Sequence, residues 1–337
     1  MTQAPPPGPP AAPLTPPAAP TPRLLDDGRP LVSVGVALLA TAVVLSTAYT
    51  RADGDLDWSN YAVGLVATLG LLGVAAVAYV TARSADPATD LVAWPGAFGV
   101  AGVGLMVALA LDDHLLTAYV AGLSVVALSL AGLVLTGRAP FVVTAVLGLY
   151  VTYVKVLDDV ISVPDDAGDD VAAISIALGL VLFAVLVTVA GWVRADTRVL
   201  AGAMAGALTV VGFAGLTGAL VLAQAFAPLI SFSLDEDMMT SEPPRFDGYD
   251  NDTWVILSLS LLLMLGWAVC AALTGHVVYR ILVVAIAVSV TPLAAAVLSV
   301  EHPSWWGLVA GAIGGGLLLL ALLQTEGTVR RRSLDAD

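Results

Sequence analysis

A chain of 337 residues that is 58% hydrophobic and only 12% charged is not an ordinary soluble domain; its composition is that of a polytopic membrane protein. A formal charge of −14 leaves no basic surface for phosphates and argues against a nucleic-acid partner. The one cysteine, Cys270, lies inside an apolar stretch, so neither an intrachain disulfide nor a cysteine metal site is available.

Residues 1–30 hold 11 of the 20 prolines and little that packs, which predicts a disordered, proline-rich cytoplasmic tail. Its Pro10-Ala-Ala-Pro13 and Pro17-Ala-Ala-Pro20 segments read either as low-complexity spacer or as a docking sequence for a protein partner. Ten apolar spans follow, at 31–50, 61–82, 91–111, 115–137, 141–163, 171–193, 199–227, 253–275, 277–299 and 305–324. The chain then divides into a tail (1–30), a ten-helix transmembrane domain (31–324) with an external loop at 228–252, and a short cytoplasmic tail (325–337). The fold class is all-α, a polytopic bundle surrounded by lipid.

Charge sets the orientation. Ten of the 13 basic residues fall on one set of loops, with Arg51 and Arg245 opposite and Lys155 within a span. This distribution predicts a cell-membrane protein with both termini in the cytoplasm. Trp58, Tyr61, Trp94, Trp192, Trp254, Trp305 and Trp306 fall at span ends, where amphipathic rings favour the headgroup layer; Trp267 alone is mid-span. The outer loops are acidic, and their field attracts cations, although charge runs are also ordinary solvated faces. Pro292 is central in the ninth span, where it must free a carbonyl and bend or break the helix, with Thr291 placed to restore a hydrogen bond.

The most informative stretch is 141–163, long enough to cross a bilayer yet carrying Lys155, Asp158 and Asp159. At about 100° per residue, Thr144, Gly148, Thr152, Lys155, Asp158 and Asp159 share one stripe, while Tyr150 and Tyr153 point elsewhere. Small residues on the stripe let a neighbouring helix approach closely, and the spacing of Lys155 and Asp159 permits an ion pair within the helix. The pair runs against the helix dipole, so local helix stability does not account for it. Two readings compete. Lys155 snorkels to the headgroup layer with the carboxylates, or the stripe lines a path for a small solute or cation.

Asp112 with His114, and Glu301 with His302, are weak metal candidates at the outer rim, dependent on loops that must meet in space. The sequence has no Walker lysine loop, nucleophile elbow, HExxH or paired CxxC, so no cofactor and no reaction are implied. The expectation is a non-enzymatic membrane protein that transports or permeates a small solute or ion, using Lys155, Asp158, Asp159, Thr144 and Thr152. The alternative is a membrane scaffold for envelope or division partners. Membrane lipids are partners on either reading.

Overall fold

The computed structural model describes residues 29–51, 55–81, 89–112, 114–160, 169–234 and 249–301, together with 311–312 and 315–316. Among the described residues the chain is a helical membrane bundle. Nine helices are long and apolar enough to cross a bilayer: α1 (Arg29–Thr50), α2 (Trp58–Thr81), α3 (Thr89–Leu111), α4 (Thr117–Thr136), α5 (Pro140–Val160), α6 (Asp169–Gly191), α7 (Arg198–Leu234), α8 (Tyr249–Thr274) and α9 (Val277–Glu301). Each coincides with an expected span. Of the tenth, only Gly311, Ala312, Gly315 and Gly316 are described, all helical; both terminal tails lie almost wholly outside the described residues.

The helices start and stop for local reasons. Asp57 precedes α2 and accepts from the Ser59 amide at 2.8 Å and the Ser59 hydroxyl at 2.8 Å, so an N-terminal donor of the helix is satisfied. Gly137 ends α4 at φ 67°, and Gly275 follows α8 at φ 68°. Their amides donate to Leu133 and Ala271 at 2.7 and 2.8 Å, closing each helix with the left-handed conformation that a side chain opposes. Pro140 then opens α5 at the first helical position, where its missing N–H costs nothing.

Four apolar clusters share helices in succession. The first joins α1, α2 and α3 through Val43, Ala67 and Met106. The second joins α3, α4 and α5 through Val100, Val125 and Phe141. The third joins α5, α6 and α7 around Phe183, and the last fills the four-helix group α6 to α9 around Phe213, Ile256, Trp267 and Ile286. Trp267, the mid-span tryptophan, is 3% exposed in that core, whereas Trp58 at a helix end is 73% exposed. Large apolar side chains such as Leu38, Val66, Val211 and Val288 face outward, as lipid-facing residues do.

Two expectations need correction. The 228–252 segment is not wholly a loop: α7 continues to Leu234 and α8 begins at Tyr249, leaving 235–248 outside the described residues. The apolar residues Leu229, Ile230, Phe232 and Leu234 extend the span past Pro228 as far as the first acidic residue, Asp235. At 37 residues, α7 is about 55 Å long, more than the hydrocarbon core requires. The second concerns the role of Thr291 beside Pro292. Helix α9 runs unbroken through it, and Thr291 donates to Ala287 at 2.7 Å rather than to the carbonyl the proline leaves unpaired. The freed carbonyl is that of Val288; across the α7/α9 interface the Thr217 hydroxyl lies 2.9 Å from the neighbouring Ser289 carbonyl and 2.8 Å from that of Phe213 in its own helix.

Candidate functional site

Helix α5 is two-faced. On one face Thr144, Gly148 and Thr152 are buried against α4. Gly122 of α4 sits so close that a Cβ there would overlap the Thr152 hydroxyl and stand 2.7 Å from the Gly148 carbonyl; a Cβ on Gly148 would stand 2.8 Å from the Gly122 carbonyl. The backbones therefore touch, glycine against glycine, as small residues allow in membranes. One step along the seam, Ser129 donates to the Thr144 hydroxyl at 2.8 Å, which itself reaches the Phe141 carbonyl at 3.2 Å. Thr152 donates to the Gly148 carbonyl at 3.0 Å. The phenyl ring of Phe141 closes the lower end, wedged against Gly96 of α3 and Gly132 of α4.

The opposite face is aromatic. Tyr150 and Tyr153 hold Phe183 of α6 between them, with ring centroids 5.1 and 5.2 Å away, and Tyr153 donates to the Gly179 carbonyl at 2.8 Å. Helix α5 thus couples the first half of the molecule to the second.

At its last turn the charged residues come together. The Lys155 ammonium is 2.7 Å from Asp158 and 2.8 Å from Asp159, and Tyr119 of α4 donates to the second oxygen of Asp159 at 2.6 Å. The lysine is 24% exposed, Asp159 45% and Asp158 71%, so the group opens outward. Lys155 lies five residues before the end of its span, about 8 Å from it, within reach of the headgroup layer. The pair with Asp159 that the spacing permits is present, joined by Asp158 and Tyr119. One ammonium and two carboxylates leave the cluster with a net charge of −1.

A second rim contact ties α1 to α3. Arg51 pairs with Asp112 at 2.8 Å and donates to the Leu109 carbonyl at 2.8 and 3.2 Å, so the guanidinium caps the C-terminus of α3. Asp112 adopts φ 55°, the left-handed position of a helix terminator, and its carbonyl accepts from Thr117 at 2.6 Å. Of the proposed metal ligands, Asp112 is therefore engaged by Arg51 and His114 lies in an exposed turn, while the Glu301 side chain and His302 are outside the described residues. Among the described residues no three histidine, cysteine, aspartate or glutamate side chains gather in a metal-holding group. His276 caps α9, its Nδ1 accepting weakly from the Val278 amide at 3.4 Å.

Four participants were not anticipated from sequence: Arg51, Tyr119, Ser129 and Thr217. Each acts across helices on a partner 15 or more residues away, and no local spacing signals such a pairing. The short turn between α4 and α5 was the one available clue, since it makes those two helices antiparallel neighbours and brings Tyr119 to the level of Asp159.

The exposed arginines Arg138, Arg194 and Arg280 lie at the end of the bundle opposite the Lys155 cluster. No protein-family model matches the sequence, and no curated protein or solved structure matches it.

Proposed function

We propose that the protein is a non-catalytic membrane scaffold that holds partners at the cell membrane through its proline-rich tail and the 228–252 segment. The α4/α5 seam carries this reading. A path along Thr144 and Thr152 would have to separate helices that touch through Gly122 and Gly148 and share the Ser129–Thr144 hydrogen bond. Lys155, the only cation on that stripe, is held by two carboxylates at the rim, so its charge has a structural occupation without a permeating solute. The arginine-rich end would face the cytoplasm, which puts the tail where cytoplasmic partners meet it.

The test is thiol accessibility in a Cys270→Ser background, with single cysteines replacing Thr144, Gly148, Thr152 and Lys155 and a membrane-impermeant reagent applied to intact cells. Labelling confined to position 155 is the expected result. Labelling that continues through 152 to 148 would mean water along the seam and would put transport back in first place. Deleting residues 2 to 28 should abolish partner recruitment or localisation while leaving the bundle in the membrane.

A further inference from the structure

Beside the seam, helices α3, α4 and α5 leave a groove of about 170 Å³ lined by alanine, glycine, leucine and valine alone. Its floor is made by small residues, chiefly Gly104 and Ala108 of α3 and Ala121 of α4, and its lips are Leu105 and Val151, each 42% exposed. Among the described residues no polar side chain lines it, so water has no partners there and the surrounding hydrocarbon is the medium that fills it. Its position along the helices gives it a ligand chemistry. Val151 lies one turn before Lys155 on α5, and Ala121 lies two residues after Tyr119 on α4, so the groove ends about 6 Å below the charged cluster.

We propose that this groove binds one acyl chain of a zwitterionic aminophospholipid, with the headgroup resting on Lys155 and Asp158. The chain supplies the apolar contacts that the small residues leave unmade. Asp158, 71% exposed and bonded to Lys155 through one oxygen, offers its other oxygen to the lipid ammonium. The lysine has three N–H donors, one more than its two carboxylates use, and the third reaches the phosphate. The net charge of −1 selects against an anionic headgroup, whose phosphate brings no compensating cation.

Native mass spectrometry of the full chain tests the site, after reconstitution in bilayers of equal phosphatidylethanolamine and phosphatidylglycerol and extraction into mild detergent. The wild-type protein should retain phosphatidylethanolamine over phosphatidylglycerol by about fivefold, the discrimination one partly exposed ion pair supports. Asp158→Asn should remove the preference, and Ala108→Leu, which fills the groove, should reduce retention of both lipids. Val151→Phe, altering only an exposed lip, repeats the groove test should Ala108→Leu fail to fold. Equal retention of the two lipids by the wild type, or undiminished retention when the groove is filled, would overturn the proposal.

Discussion

Glycine 122 is the residue on which the α4/α5 seam depends, because its missing side chain sets the distance between the two helices. Gly122→Val should destabilise the protein by about 1–3 kcal/mol, the usual cost of forcing atoms into a filled contact. Reversible unfolding in mixed micelles would measure it. Gly73→Ala is the matched control: a Cβ there meets nothing within 4 Å, and the change should be neutral or slightly stabilising. Thr217 has a different dependence. Thr217→Val keeps the shape and removes a hydroxyl placed between Phe213 of its own helix and Ser289 of α9, and it should cost at most about 0.6 kcal/mol, the average for hydrogen bonds between membrane helices. Thr217→Ser should restore most of that. The stripe on α5 was legible as a packing face because its small residues repeat at helical spacing. The neighbour that fills it was not, since nothing in residues 141–163 names Gly122.

At the scale of single helices, stability is set at the ends. Gly137→Ala and Gly275→Ala should each cost about 1–2 kcal/mol, because each position requires a left-handed backbone that L-residues resist. Thermal unfolding would show the loss with no change in helix content of the folded state. Asp57 makes the start of α2 depend on pH. Hydrogen bonds from the Ser59 hydroxyl and amide, with Asn60, hold its carboxyl below the ordinary value of 3.8. A carboxyl depressed in the folded state stabilises it fully above the unfolded pKa, and that contribution is lost as pH falls through the lower folded value. Asp57→Asn should therefore flatten the dependence of stability on pH below about 4 and change little of it at neutrality. These ends were readable in advance to differing degrees: Pro140 and Gly137 punctuate the sequence plainly, whereas the extension of α7 to Leu234 crosses a stretch that composition assigned to a loop.

For the whole molecule, the consequential feature is that, among the described residues, the two groups of helices meet mainly through α5. Helices α1 to α5 pack among themselves, α6 to α9 form a second group, and the clamp of Tyr150 and Tyr153 on Phe183 is the clearest connection between them. Two co-expressed pieces, divided between Asp165 and Asp166, should assemble in the membrane and purify together. Phe183→Ala should weaken that association more than it perturbs either piece, because the lost ring leaves a cavity at the junction and lipid supplies no hydrophobic drive to close it. Affinity purification through a tag on one piece measures the outcome. Equal recovery of the second piece with and without Phe183 would place the junction elsewhere.

What the sequence determined by itself was the material and the layout. A hydrocarbon solvent demands that each spanning segment satisfy its own backbone, so length, hydropathy and flanking charge were enough to locate the nine spanning helices found among the described residues. The i,i+4 relation of Lys155 and Asp159 likewise follows from helix geometry alone. Tertiary structure decided everything that crosses from one helix to another: Tyr119 on Asp159, Arg51 on the end of α3, Thr217 on Ser289, and Thr144 and Thr152 buried in a seam. The physical reason is that lipid-facing and helix-facing positions carry nearly the same apolar residues. In water the hydrophobic pattern tells inside from outside; in a bilayer that signal is flat, and the choice of partner falls to close contacts between small residues that only the assembled helices reveal.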